Sequence, residues 1–143
     1  MVRRIVGFLA IVVVMAALVA AAGSQVTLNA LGVPVTLADR LRSAGTDIVG
    51  FGPTLVLFLA PFALVTFLIA GLALRFTLFR RILLFGGAGA LALLGMVFAL
   101  SVAFPMPVLA AARTGGGVAM LSAAAALGGA LYALVGPRSK LTG

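Results

Sequence analysis

Residues 48–74 read IVGFGPTLVLFLAPFALVTFLIAGLAL, a run without a single charged side chain. At about 1.5 Å per residue, a helix of this length crosses a hydrocarbon core of about 30 Å with room for tilt. The run is therefore read as a transmembrane helix. Gly50, Gly52 and Pro53 loosen its entry. Pro61 removes one helical hydrogen bond, which predicts a kink near Leu57 to Pro61. Neighbouring helices make such a proline tolerable in lipid, because they can satisfy the freed carbonyl.

Three more apolar runs lie on either side of it. Ile5 to Ala22 follows the basic start Arg3-Arg4. Ile82 to Phe104 follows the connector Arg75 to Arg81 and stops at Pro105 and Pro107. Val118 to Val135 follows Arg113-Thr114 and three glycines, and stops at Gly136-Pro137. The expected fold is all-α, a single polytopic domain over residues 1–143 with spans at 5–22, 48–74, 82–104 and 118–135. A rival reading of the first run is a secretory signal, since Ala20-Ala21-Ala22-Gly23 offers small residues for cleavage. The run is longer than the usual apolar region of a signal, which favours a retained helix.

Composition points the same way. The chain is 64% hydrophobic and 8% charged, whereas soluble domains carry about a quarter charged residues. A small soluble core leaves too much surface exposed to hide so much apolar material. Lipid can solvate it. The net charge of +8 would suggest nucleic acid in a soluble protein. Here the cations sit at the ends of apolar runs, where they meet lipid headgroups and fix orientation. No nucleic-acid partner is expected.

Those cations predict a topology. Arg3, Arg4, Arg75, Arg80, Arg81, Arg138 and Lys140 fall on one side, and Arg40, Arg42 and Arg113 on the other. The excess places both termini and the middle connector in the cytoplasm.

Residues 24–46 then form the first outward loop. Pro34 disfavours helix at Val33. Thr36 and Asp39 have capping-box spacing, with Asp in place of Glu. Leu37 and Leu41 share a helical face. A short amphipathic helix on the membrane surface is expected here, ended by Gly45.

Chemistry is sparse. The chain has no Cys, His or Glu, which removes disulfides, Cys/His zinc sites and imidazole-ligated haem. No catalytic residue, metal site or cofactor is expected. Asp39 and Asp47 are the only acidic side chains. General acid–base work needs two carboxyls in a site that perturbs them; capping for Asp39 and interfacial solvation for Asp47 explain both more simply. Asp47 and Arg113 lie on the same side and are a candidate ion pair, since an Arg near the membrane interior costs about 2.5–3.5 kcal/mol. Snorkelling of Arg113 to the headgroups is the alternative. Gly115-Gly116-Gly117 lacks the strand and the Lys-Ser/Thr of a phosphate loop and is read as a flexible helix entry.

Helix association in lipid relies on close packing. Small residues recur four apart at Ala88–Ala92, Ser122–Ala126, Ala124–Gly128 and Ala125–Gly129. These positions are the candidate packing face, either within one bundle or toward a partner chain.

The size and four helices are similar to those of the small multidrug transporters. That family's coupling relies on an acid in the first helix, and Ile5 to Ala22 has none. The stretch Leu28 to Leu41, with Ala111-Ala112-Arg113-Thr114 and Gly128-Gly129-Ala130, resembles small four-span bacterial inner-membrane proteins. That resemblance implies topology and no activity. The expected function is non-enzymatic: an accessory or assembly subunit acting through helix–helix contacts, its partners the bilayer and a membrane protein or a second copy. The alternative is a small homo-oligomeric channel or passive transporter.

Overall fold

The structure, a computed structural model, describes residues 2–32, 34–72, 77–104 and 110–135. Four helices account for nearly all of them: α1 (Val2–Ala30), α2 (Leu37–Leu72), α3 (Leu78–Ala103) and α4 (Gly115–Val135). A 3-10 turn at Ala110–Arg113 precedes α4. All four helices are long and apolar enough to cross a membrane.

Each helix packs on its neighbour in sequence, and α1 closes the ring on α4. The core is a stripe from each helix. Val12, Met15, Ala16 and Val19 come from α1, and Leu55, Leu59, Ala63 and Phe67 from α2. Ala92, Leu93 and Met96 come from α3, and Leu121, Ala125 and Ala133 from α4. These spacings of three, four and seven are those of one helical face. The opposite faces are apolar too, with Leu57, Leu68, Leu91, Phe98 and Leu127 exposed. Helices that are apolar all round suit a lipid solvent.

The helices are longer than the expected spans. α1 runs to Ala30 rather than Ala22, and ends where Gly32 adopts φ 63°. The Leu31 N–H donates to the Thr27 carbonyl at 3.1 Å, and the Gly32 N–H to the Asn29 carbonyl at 3.2 Å. Glycine reaches this left-handed conformation without the Cβ penalty.

The expected separate amphipathic helix is absent. Residues 37–46 are helical, but they continue without a break at Gly45 into the second span. Leu37 and Leu41 are exposed as a pair. The cause is the other face, where Arg40 and Ser43 bond to α1 and hold this segment upright against it. Thr46 Oγ1 donates to the Arg42 carbonyl at 2.9 Å, so the helical pattern passes through Gly45. α2 also continues through Pro53 and Pro61.

α3 begins four residues before the expected Ile82, which brings Arg80 and Arg81 into its first turns. It ends at Phe104, whose φ −123° and ψ 134° are extended. The residue before a proline is pushed into that region. α4 begins at Gly115, so the three glycines are its first turn rather than a flexible entry. Thr114 caps it, its Oγ1 accepting from the Gly117 N–H at 3.0 Å. The expected stops at Pro107 and Gly136-Pro137 and the cations Arg75, Arg138 and Lys140 lie outside the described residues.

Candidate functional site

The small residues do most of their work inside the chain. On α4, Ala124, Ala125, Gly128 and Gly129 are buried, and on α3 so are Ala88 and Ala92. Ser122 and Ala126 are half-buried, and the Ser122 Oγ has no hydrogen-bond partner. The tightest approach is between α3 and α4. A Cβ placed on Gly129 would overlap the Phe85 carbonyl oxygen and lie 3.3 Å from the Gly86 Cα. A Cβ on Gly89 would overlap the Ala125 carbonyl oxygen and lie 3.4 Å from the Gly129 Cα. The α3 half of this seam is thus Phe85, Gly86 and Gly89, which the four-residue pattern misses because these glycines are three apart. Gly128 faces the other way, onto Met15 of α1.

Asp47 and Arg113 are not brought together. Asp47 is half-buried on α2, Arg113 is exposed at the end of the 3-10 turn, and no ion pair joins them among the described residues. Asp39 does cap. The Thr36 Oγ1 donates to Asp39 Oδ2 at 2.6 Å and accepts from the Asp39 N–H at 3.3 Å.

A polar clasp joins the facing ends of α1 and α2. One guanidinium nitrogen of Arg40 donates to Gln25 Oε1 at 3.2 Å and to Asn29 Oδ1 at 3.0 Å. Gln25 Nε2 donates to the Arg40 carbonyl at 3.4 Å, and the hydroxyls of Ser24 and Ser43 meet at 3.0 Å. At about 1.5 Å per residue, α1 and α2 both exceed a core of about 30 Å. Their clasped ends are therefore the polar parts that a bilayer would leave in the headgroup region.

At the other end of the bundle a ring from each helix joins one cluster centred on Phe67. Phe67 of α2 lies edge-on to Phe8 of α1 at 6.1 Å and to Phe85 of α3 at 5.5 Å, and stacks on Tyr132 of α4 at 5.0 Å. Phe85 and Tyr132 are 5.1 Å apart. Such pairs contribute about 0.5–1.5 kcal/mol each beyond the area they bury. Beside them Arg81 is buried, its guanidinium carbon 6.0 Å from the Phe85 ring centre.

Between clasp and rings the interior is apolar, with Met15, Leu59, Leu93, Met96 and Leu121 fully buried. The hydroxyls of the spans turn onto their own backbone. Thr66 Oγ1 donates to the carbonyls of Phe62 at 3.0 Å and Ala63 at 3.3 Å, and Ser101 Oγ to that of Phe98 at 2.7 Å.

No family model, curated protein or solved structure matches this chain. Its function has to be read from its own residues. The cluster of rings around Arg81 and the Arg40 clasp escaped the sequence pattern for the same reason: their members are scattered over different helices. The one available signal was Arg80-Arg81 directly before an apolar run, and that pair looks like any connector charge.

Proposed function

We propose that this chain is a non-enzymatic protein of a bacterial inner membrane, both termini cytoplasmic, and serves as an accessory or assembly subunit of a membrane complex. The observation that carries this reading is an apolar groove of about 400 Å³ between α1 and α2. It is lined by Val13, Ala16, Ala17, Gly52, Pro53 and Val56 among others. Small residues at such a place let a second backbone come close, which is how helices associate in lipid. The α3–α4 seam is occupied within the chain, so a partner's transmembrane helix has this groove as its seat. The apolar interior, with Met15, Leu59, Leu93, Met96 and Leu121 fully buried, favours the same reading over transport through the monomer.

The chain has no cysteine, so Val13→Cys or Val56→Cys creates a unique crosslinking handle. The tagged protein, at native expression in mild detergent, is expected to bring down another membrane protein in stoichiometric amount, crosslinked through these positions. A monomer without partners would sink the reading. A closed homo-oligomer would also sink it and favour the channel alternative, to be followed by flux assays in liposomes.

A further inference from the structure

Among the described residues, no acidic side chain balances the charge of Arg81. It is 8% exposed, and its Nε is buried with no hydrogen-bond partner. The other buried polar residue among those described, Ser24, has a partner in Ser43. Phe85 offers Arg81 the face of a ring at 6.0 Å. A cation–π contact leaves the in-plane N–H donors of a guanidinium unanswered. An uncompensated buried charge is among the most destabilising features a fold can hold.

The acidic side chains are out of reach. The sequence has two, Asp39 and Asp47. α2 carries them near its start and Phe67, which touches Phe85, near its end. At about 1.5 Å per residue, even Asp47 lies about 30 Å along the helix from Phe67. Neither acidic side chain therefore supplies the counter-charge.

The surroundings define its chemistry. Arg81 sits in the first turns of α3, where the free backbone N–H groups and the helix dipole favour an anion. Leu78 and Leu84, three residues to either side and so on the adjoining surface, are both exposed hydrocarbon. An anion at this position therefore meets donors on one side and apolar side chains on the other. A planar guanidinium fork matches a phosphate in particular.

We propose that Arg81 binds the phosphate of an anionic phospholipid, whose acyl chains lie along the α3 surface marked by Leu78 and Leu84. In the proposed orientation this end of the bundle meets the cytoplasmic leaflet, where basic pockets between helices hold lipid headgroups. The site does not depend on the subunit reading and stands if that reading fails.

The test is native mass spectrometry of the full chain with phosphatidylglycerol or phosphatidylcholine. The wild type should retain phosphatidylglycerol over phosphatidylcholine. Arg81→Gln should lose this preference by about tenfold, Arg81→Lys should lose part of it, and Arg80→Gln, the same charge removed one residue away, should keep it. Equal losses in Arg80→Gln and Arg81→Gln, or an unchanged Arg81→Gln, would overturn the proposal. Displacement of the lipid by millimolar inorganic phosphate would also overturn it, since the site would then take free phosphate.

Should Arg81→Gln fail to fold, the wild type still gives a readout. Tyr132 is the chain's one tyrosine, there is no Trp, and its ring meets Phe85. Its emission should change saturably with phosphatidylglycerol, at one lipid per chain, and not with phosphatidylcholine. An identical response to both lipids, or none, would refute the site.

Discussion

Gly129 of α4 lies so close to the Phe85 carbonyl oxygen on α3 that no side chain fits between them. Gly89 stands in the same relation to the Ala125 carbonyl oxygen. In each case the obstacle is backbone, which cannot rotate aside. Gly129→Ala and Gly89→Ala should each destabilise the bundle by about 1–3 kcal/mol, the usual cost of overpacking. Gly87 is the internal control. It lies in the same helix with open space around it, so Gly87→Ala should be neutral or stabilise by about 0.5–1 kcal/mol. Unfolding in mixed detergent with rising dodecyl sulfate would rank the three. Equal effects at Gly87 and Gly89 would show that helix propensity, and not contact with α4, governs them.

Arg40 holds two acceptors of α1, Gln25 and Asn29, through one nitrogen. Arg40→Ala should cost about 1–3 kcal/mol, the range for hydrogen bonds to a charged group. Arg40→Lys should recover only part of the loss, because a point charge on a flexible stem does not reproduce the guanidinium. Amide hydrogen exchange gives the local check. Residues 24–30 and 37–43 should exchange faster together in Arg40→Ala, while the Leu59–Met96 core stays protected. Faster exchange confined to α2 would mean that Arg40 stabilises its own helix and does not clasp α1.

Thr36 caps the start of α2 by accepting the Asp39 N–H, and its hydroxyl donates to the Asp39 carboxylate. Thr36→Ala should cost about 1 kcal/mol, a typical value for a lost cap. Thr36→Ser keeps the oxygen and should behave as wild type. Exchange at Ala38 to Arg40 should report fraying of the first turn. An unaltered first turn in Thr36→Ala would show that the contacts with α1 alone hold it.

That cap could be read from the sequence because its two partners are three residues apart on one helix. The four long apolar helices could be read because the length and apolar character of a run are local quantities. Where information had to cross between helices, the reading fell short. Ala125 and Gly129 are visible as a small-residue pair, but their counterparts Gly86 and Gly89 are three apart and fall outside the four-residue pattern. The stretch from Ser24 to Thr46 reads as a polar loop when its polar groups are counted without their partners. In the structure Ser24 answers Ser43, and Gln25 and Asn29 answer Arg40, so the polarity belongs to two helices pressed together. In the sequence Arg81 is a topology signal, and nothing in its neighbours along the chain marks it as buried.

Phe67 offers the sharpest test of the aromatic end of the bundle. It is buried and touches Phe8, Phe85 and Tyr132, so it joins all four helices at one level. Phe67→Ala removes every one of these contacts and leaves a cavity; the expected loss is about 3–5 kcal/mol. Phe67→Leu refills part of the volume and should lose less, though not the stacking on Tyr132. Phe98 is the matching control: it sits on the outer surface of α3 at 70% exposure, and Phe98→Ala should leave stability within about 0.5 kcal/mol. The emission of Tyr132 separates packing from general loosening. It should shift in Phe67→Ala under conditions where the helix content is unchanged, and stay fixed in Phe98→Ala. A Tyr132 signal that ignores Phe67→Ala would mean that the ring contact does not form in the folded protein.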